Sequence, residues 1–282
     1  LTFLRRGILM TTLIRFIVVA VVLCVSAAVY AADASYHHVH LRATDTQAAA
    51  KWYEQYMGGR AMKLGIYDGV VTGATLLLFF PEEQRGVDGT PFSGKLEGSE
   101  GSVVDHIGFS FTDLAAKMQE FKQAGIEIVQ EPRDVQGKFK YGFVRDPWGT
   151  KIEVMQDLEL TGFHHVHVLS KNPDQAVTWY QEIFGGTITA FKDLKALPSI
   201  RYGGMWLIVQ KTDKDLAPTM LRSIDHLGWG FVDLTKEVAR FKERGEQLPL
   251  DIIDFRGTNI AFIKSPDGAL IEMVEVKERS QR

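Results

Sequence analysis

The stretch Tyr36-His37-His38-Val39-His40 recurs in the second half of the chain as Phe163-His164-His165-Val166-His167. A second stretch, Val104-Asp105-His106-Ile107-Gly108, recurs as Ile224-Asp225-His226-Leu227-Gly228. Self-similarity of this kind indicates a repeated architecture, and the repeated histidines indicate a repeated site. Other positions repeat in the same order, among them Gly58-Gly59 and Gly185-Gly186, Phe121 and Phe241, and Glu153 and Glu272.

Each half of the chain contains the order strand, helix and several strands twice. The first strand alternates from Tyr36 to Arg42, Thr44 or Asp45 can cap the helix that follows, and Gly58 ends that helix. Three more modules begin near Val103, Phe163 and Ser223. The short joint around residues 157–162 predicts one unit over residues 32–158, with modules 1 and 2, and a second over residues 159–282, with modules 3 and 4.

Alternation along a strand predicts which side chains share a face. His38 and His40 fall together, opposite Val39, and the same pattern holds around His106 and Glu153. Every repeated histidine and glutamate of this kind therefore lies on the face away from the core, which could form the floor of a cavity. By the same alternation His37 and His164 point the other way and are predicted to be structural. Asp105 and Asp225 are predicted to be hydrogen-bond acceptors that open their strands.

Residues 1–31 are predicted to be a secretory signal peptide. Arg5, Arg6 and Arg15 precede an apolar run from Phe16 to Val25, and small residues continue to Ala31. The run is short for a membrane-spanning helix, which needs about 20 apolar residues. The sequence therefore predicts a periplasmic or secreted protein, with an uncleaved membrane anchor as the alternative.

Composition restricts the function classes. The 282 residues are 45% hydrophobic, enough for packed cores, and the formal net charge of −3 gives no reason to expect a nucleic-acid partner. Cys24, the only cysteine, lies in the predicted signal peptide. The mature chain is therefore expected to have neither a disulfide nor a thiol nucleophile.

In these motifs the chain resembles the vicinal oxygen chelate superfamily, which includes glyoxalases, bleomycin-resistance proteins and extradiol dioxygenases. The resemblance covers residues 36–276. It rests on the βαβββ order, on the Asp-His pair that opens modules 2 and 4, and on Asp146-Pro147-Trp148-Gly149-Thr150-Lys151-Ile152-Glu153. It implies an α+β fold in which modules 1 and 2, and modules 3 and 4, pair into two glyoxalase-like open-barrel cups.

The resemblance also implies a divalent metal ion in such a cup, with ligands at matching positions. Two imidazoles and one carboxylate leave three adjacent positions free on an octahedral ion, where a substrate with two neighbouring oxygens could chelate. Fe, Mn, Ni, Co and Zn all remain open. The implied ligands are His38, His106 and Glu153 in the first half and His165, His226 and Glu272 in the second.

His40, His167 and Tyr141 are candidates for proton transfer beside the metal. His40 and His167 share a face with the implied ligands, so they are alternatively donors to those ligands or inert lining. The chain also departs from its relatives, since glyoxalase I relatives usually add a glutamate from the last strand of the odd module. Leu76 to Phe80 are all apolar at that place, and Gln210 is the polar candidate in the second half.

The sequence thus predicts an exported metal-dependent enzyme that acts on a small molecule with vicinal oxygens. Lyase or isomerase chemistry of the glyoxalase kind and ring-cleaving dioxygenation both remain open. A rival prediction is a binding protein of the bleomycin-resistance type, which sequesters a toxin or antibiotic without a metal. A third is a membrane-tethered interaction module with empty cups.

Overall fold

The computed structural model describes residues 34–277, and the predicted signal peptide lies outside them. Each module has the predicted order of one strand, one helix and three strands. The helices are Thr46–Met57 (α1), Leu114–Gln123 (α2), Pro173–Phe184 (α3) and Leu234–Glu243 (α4).

Within residues 34–277, sixteen strands fall into four sets of four, and a short 3₁₀ turn, Phe191–Asp193, interrupts the third set. Module 1 contains Ala34–Ala43 (β1), Arg60–Leu64 (β2), Tyr67–Thr72 (β3) and Thr75–Pro81 (β4). Module 2 contains Val104–Ser110 (β5), Glu127–Val135 (β6), Phe139–Arg145 (β7) and Lys151–Gln156 (β8). Module 3 contains Gly162–Ser170 (β9), Thr187–Ala190 (β10), Pro198–Tyr202 (β11) and Met205–Lys211 (β12). Module 4 contains Ile224–Phe231 (β13), Leu250–Phe255 (β14), Thr258–Lys264 (β15) and Leu270–Glu275 (β16).

Local sequence explains where the helices begin. The side chains of Asp45, Asp113, Asn172 and Asp233 each accept a hydrogen bond from a backbone N–H in the first turn of the following helix. Such caps satisfy donors that the helix itself leaves unpaired. Asp45, rather than Thr44, is therefore the cap of α1. Pro173 occupies the first turn of α3, where the missing N–H of proline is tolerated.

The strands form two eight-stranded sheets, ordered β14-β15-β16-β13-β1-β4-β3-β2 and β10-β11-β12-β9-β5-β8-β7-β6. The first sheet joins modules 1 and 4, and we call it the outer cup. The second joins modules 2 and 3, and we call it the inner cup. The α+β fold of four modules in two open cups is confirmed, but the expected partners, 1 with 2 and 3 with 4, are wrong. The physical reason is that β1 pairs antiparallel with β13, and β5 pairs antiparallel with β9.

The faces of the two sheets that turn away from the histidines share one apolar core. Val39 and Leu227 of the outer cup and Ile107 and Val166 of the inner cup are fully buried in it. The rings of Tyr36 and Phe163 stack across the sheets with their centroids 5.9 Å apart. Over residues 34–277, none of the helices has the length and apolar character needed to span a bilayer.

Candidate metal centres

In the outer cup, three histidines surround one buried carboxylate. Nε2 of His38 lies 2.9 Å from Oε2 of Glu272, Nε2 of His226 lies 3.4 Å from it, and Nε2 of His40 lies 3.8 Å from it. Together these four side chains offer ligand atoms that all lie within 4.8 Å of one another. All four are buried.

The inner cup repeats this arrangement. Nε2 of His106 lies 3.1 Å from Oε2 of Glu153, and Nε2 of His165 lies 3.7 Å from the same oxygen. His167 completes the second group of four, again with ligand atoms within 4.8 Å of one another. The pseudo-symmetry of the sequence is therefore a pseudo-symmetry of two sites.

The structure brings the implied ligands together in a different grouping from the expected one. His38 does not meet His106 and Glu153; it meets His226 and Glu272, while His165 joins the pair from the first half. The reason is the strand pairing, which places β1 beside β13 and β9 beside β5. Each candidate centre is thus assembled from both halves of the chain.

The residue before each implied histidine ligand bonds its Nδ1 atom. Asp105 contacts Nδ1 of His106 at 2.7 Å, and Asp225 contacts Nδ1 of His226 at 2.6 Å. His37 and His164 contact Nδ1 of the next histidine at 2.7 and 2.9 Å. A partner on Nδ1 fixes the orientation of an imidazole and leaves Nε2 for the metal.

Strand alternation predicted His37 and His164 to be structural and turned away from the site, and the predicted direction is wrong. The ladders between β1 and β13 and between β5 and β9 shift register at four points, and the residues skipped there are His37, Asp225, Asp105 and His164. A bulge re-aims a side chain that ordinary pleating would send to the opposite face. Since the chain has eight histidines, all of them belong to the two centres.

A series of side-chain contacts orients the His165 ring. Nε2 of His164 lies 3.3 Å from Oδ2 of Asp157, and Nζ of Lys192 lies 2.8 Å from the same oxygen. In the tautomer of His164 that has its proton on Nε2, beside Asp157, Nδ1 can accept a hydrogen bond from Nδ1 of His165. That arrangement leaves Nε2 of His165 without a proton and able to bind a cation.

Each aspartate that contacts a histidine is itself paired with a cation, which is buried in the outer cup and partly buried in the inner cup. In the outer cup Nε of Arg42 lies 2.6 Å from Oδ2 of Asp225, and in the inner cup Nζ of Lys151 lies 2.8 Å from Oδ2 of Asp105. The two cations come from different strands, Arg42 from β1 and Lys151 from β8. The roles of Arg42, Lys151 and Asp157 were not predicted from the sequence, where the only available signal was the polar residue before each implied ligand.

Burial and charge set the protonation of the histidines. Burial holds the pKa of His40, His165 and His167 well below the usual value, with neighbouring histidines adding to the effect. Burial by itself would lower the pKa of His106 and His226. The adjacent aspartate and the glutamate of the same group outweigh burial, so the pKa of both histidines lies above the usual value. Neutral imidazoles beside carboxylates are the forms that bind metal.

The carboxylate of the outer centre is strongly held in its charged form. Burial by itself raises the pKa of Glu272, but hydrogen bonds from His226 and His38 outweigh burial and bring the pKa well below its usual value. A charged carboxylate is the state required of a metal ligand.

The side chains present fit a divalent cation. Nε2 of His165, Nδ1 of His40 and both ring nitrogens of His167 are buried without a hydrogen-bond partner. Buried polar atoms without partners are costly, so such atoms mark a place where a bound group belongs. Nitrogen and carboxylate donors in this ratio suit Fe, Mn, Ni, Co and Zn.

Cavities lie above both centres. The outer cavity has a volume of about 480 Å³ and contains His38, His40 and Glu272 in its lining. The inner cavity, of about 550 Å³, contains His106, His167 and Glu153. Both volumes suit a small organic molecule.

Tyr141 and Gln210 also line the inner cavity. The hydroxyl of Tyr141 accepts a hydrogen bond from Nη2 of Arg133, whose guanidinium lies over the Tyr141 ring. The structure therefore places both side chains in the cup that contains His167, while their roles stay predictions.

Comparison with known proteins identifies relatives of this chain. The family model "Glyoxalase/Bleomycin resistance protein/Dioxygenase superfamily" matches residues 35–154 and 162–273. A protein of Vibrio parahaemolyticus named "Probable lactoylglutathione lyase" is 27% identical over 122 residues, which are 43% of this chain and 88% of that protein. A Vibrio cholerae protein of the same name is also 27% identical over 122 residues, with the same coverage.

Among solved structures, glyoxalase I from Zea mays superposes with a TM-score of 0.66 and 18% identity, covering 86% of this chain and 92% of that one. At this identity the likeness shows the fold alone. The family match extends over most of the described residues and over both candidate centres. The chain belongs to the Glyoxalase/Bleomycin resistance protein/Dioxygenase superfamily.

Proposed function

We propose that this protein is an exported, metal-dependent enzyme that moves a proton between neighbouring carbons of a small molecule with vicinal oxygens. The observation that carries the proposal is a fourth, buried histidine beside each His, His and Glu group, His40 in the outer cup and His167 in the inner one, with a ring nitrogen that has no hydrogen-bond partner. This is lyase or isomerase chemistry of the glyoxalase kind, and the names of the Vibrio relatives support it. Export is part of the proposal and rests on the sequence of residues 1–31.

In this proposal His38, His226 and Glu272 hold the outer metal ion, and His106, His165 and Glu153 hold the inner one. A bound divalent ion would act as a Lewis acid on the two substrate oxygens. The buried aspartates and the bulged histidines keep the ligand rings turned towards the ion. The inner carboxylate has its contacts with His106 and His165.

His40 and His167 are the proposed proton-transfer groups. His40 is the outlying member of its group, since its 3.8 Å from Glu272 exceeds the 2.9 and 3.4 Å of the other two histidines. Because burial holds the pKa of His40 and His167 well below the usual value, both rings are neutral at pH 7 and can accept a proton.

Two measurements test the proposal. Elemental analysis of residues 32–282 should find close to two equivalents of a divalent metal, with one lost in His106→Ala and the other lost in His226→Ala. The metal-loaded protein should exchange a carbon-bound proton of a small α-hydroxyketone for deuterium in D₂O, as followed by NMR. His40→Ala combined with His167→Ala should abolish exchange and retain metal.

Absence of metal in all three proteins after incubation with each ion would contradict the proposal. That absence would favour the rival prediction, a binding protein that sequesters its ligand without a metal. Metal binding without exchange or turnover would contradict the proposed chemistry.

A further inference from the structure

The two cavities have nearly the same group of His and Glu side chains at the base. The other side chains that line them differ in polarity. In the outer cup the side chains around the His and Glu group are mainly aliphatic and aromatic, among them Leu78, Phe80, Ile260 and Phe262. In the inner cup the corresponding space includes the polar or charged side chains of Tyr141, Lys151, Gln210 and Lys211.

Strand register identifies one matched position directly. Phe80 lies opposite Arg42 in the ladder of β4 and β1, and Gln210 lies opposite Leu169 in the equivalent ladder of β12 and β9. Phe80 stacks on the ring of His40, with centroids 3.9 Å apart. A phenyl ring therefore covers the proposed proton-transfer histidine of the outer cup, where the inner cup has an amide.

A second matched position shows the same contrast. Ile260 lies opposite Val274 in the ladder of β15 and β16, and Tyr141 lies opposite Met155 in the ladder of β7 and β8. Both side chains line their cavities. The inner cup thus has a hydroxyl where the outer cup has only carbon.

The two cavities also differ in the exposed side chains at their openings to solvent. Leu64, Ile66 and Ile253 line the outer cavity and are 41, 52 and 40% exposed. At the inner cavity the exposed lining residues include Lys211 and Lys214, for which no ion pair occurs within residues 34–277. Large exposed apolar side chains gathered at one opening mark a binding surface.

Two of the three arginines that line the outer cavity donate hydrogen bonds within the protein. The Arg42 guanidinium binds Asp225 and donates through Nη1 to the carbonyl oxygen of Glu82 at 3.0 Å. Nη1 of Arg85 donates to the carbonyl oxygen of Gly89 at 3.1 Å. The third, Arg256, is exposed, and its guanidinium lies over the Phe255 ring, 5.8 Å from the centroid. Within the cavity the aliphatic and aromatic side chains therefore suit an uncharged ligand body.

We propose that the two cups take ligands of opposite polarity. The outer cup binds a small molecule whose vicinal oxygens sit on an uncharged, apolar body, and the inner cup binds one whose body is hydrophilic and anionic. This inference rests on the proposed function, because the metal ion holds the vicinal oxygens in both cups. The chain is then two enzymes of different specificity on one repeated scaffold.

Straight-chain alkyl hydroxamates, from acetohydroxamate to octanohydroxamate, provide the apolar probes, and succinic monohydroxamate provides the anionic one. Each presents the same pair of oxygens to the metal. The full chain is loaded with Zn²⁺, and binding is measured by calorimetry in Glu153→Gln, which keeps only the outer centre, and in Glu272→Gln, which keeps only the inner centre.

In Glu153→Gln the affinity should rise about three- to fourfold per added methylene until the cavity is full. In Glu272→Gln the affinity should not rise with chain length, and the anionic probe should bind more tightly than the neutral hydroxamate of equal length. Exchanging the matched residues tests the cause. Phe80→Gln should flatten the chain-length dependence of the outer centre, and Gln210→Phe should introduce one at the inner centre.

Ile66→Ser combined with Ile253→Ser should lower the affinity for the longest hydroxamates. Leu158→Ser, which removes an exposed apolar side chain elsewhere, is the matched control and should change nothing. Thermal unfolding of every variant separates loss of binding from loss of fold.

The same chain-length dependence at both centres, or at neither, would overturn the inference while leaving the metal centres intact. Failure of every probe to bind the Zn²⁺-loaded protein more tightly than the metal-free protein would instead count against the proposed function.

Discussion

The imidazole ring of His38 lies directly against Gly228, its partner across the ladder of β1 and β13. A methyl group on Gly228 would overlap Cε1, Nδ1 and Nε2 of that ring. His165 and Gly108 have the same relationship in the inner cup. Absence of a side chain at these two positions is therefore a requirement of the sites themselves.

Gly228→Ala should remove the outer metal ion and spare the inner one, because the new methyl group displaces His38 from its place beside Glu272. Gly108→Ala should have the opposite effect. Elemental analysis of the purified variants measures both. Gly204→Ala is the control, since a methyl group there meets no heavy atom within 4 Å. Full retention of both metal equivalents in either site variant would contradict the prediction.

His164→Leu should weaken metal binding at the inner centre by about 10- to 100-fold, as is typical when the partner of a ligand histidine is lost. The leucine cannot accept the proton on Nδ1 of His165, so the ring loses its fixed tautomer. Competition with a chelating dye measures the two affinities in one protein, and the outer centre is the internal reference. His164→Asn offers an amide oxygen near the lost nitrogen and should recover part of the affinity. Equal weakening by both substitutions would indicate a packing effect instead.

Stability should depend on pH through Asp146. Burial raises the pKa of this carboxyl to about 6, although Tyr53 and two backbone N–H groups donate hydrogen bonds to it. Since the folded state binds this proton more tightly than the unfolded state, the contribution is complete below pH 3.8. It is lost as the pH rises through about 6.

The loss amounts to about 3 kcal/mol in the free energy of unfolding between these limits. Urea unfolding at a series of pH values measures it. Asp146→Asn keeps an oxygen for the backbone N–H groups and should remove this part of the pH dependence. An unchanged pH profile in that variant would assign the dependence to other groups.

Arg42→Leu should cost about 3–5 kcal/mol in the free energy of unfolding, because it leaves Asp225 charged, buried and without its cation. Lys151→Leu should cost less. Its partner Asp105 is more exposed, with 10% of the side chain accessible against 2% for Asp225. Urea unfolding of the two variants at one pH compares them directly, and equal losses would contradict the argument.

The elements of each module follow from local sequence, whereas the partnership of the modules does not. Asp45 and Pro173 mark helix starts through interactions within a few residues of chain. The choice of a partner for β1 is different. Both β5 and β13 carry Asp-His-x-Gly, so either strand can place a glycine against His38 and an aspartate beside a second histidine. Only long-range packing distinguishes them.

Dependence on long-range strand pairing also explains why the directions of His37 and His164 were predicted wrongly. Alternation assumes regular pleating, and a bulge reverses it locally without any signal in the strand's own hydrophobic pattern. Arg42 reads as an ordinary polar residue at the end of a strand. Its burial beside Asp225 depends on a contact between the first and last modules.

The pairing of module 1 with module 4 and of module 2 with module 3 allows the inner cup to fold before the outer cup. The inner cup occupies one continuous stretch, residues 104–211, so it can close while the rest of the chain is still being made. The outer cup needs residues 34–81 and 224–275 at once. Until module 4 arrives, β1 presents an unpaired edge, and such edges recruit strands from other molecules. Because β13 of a second copy offers the same register, exchange of module 4 between two chains would rebuild the outer centre of each chain in a dimer with no new interface.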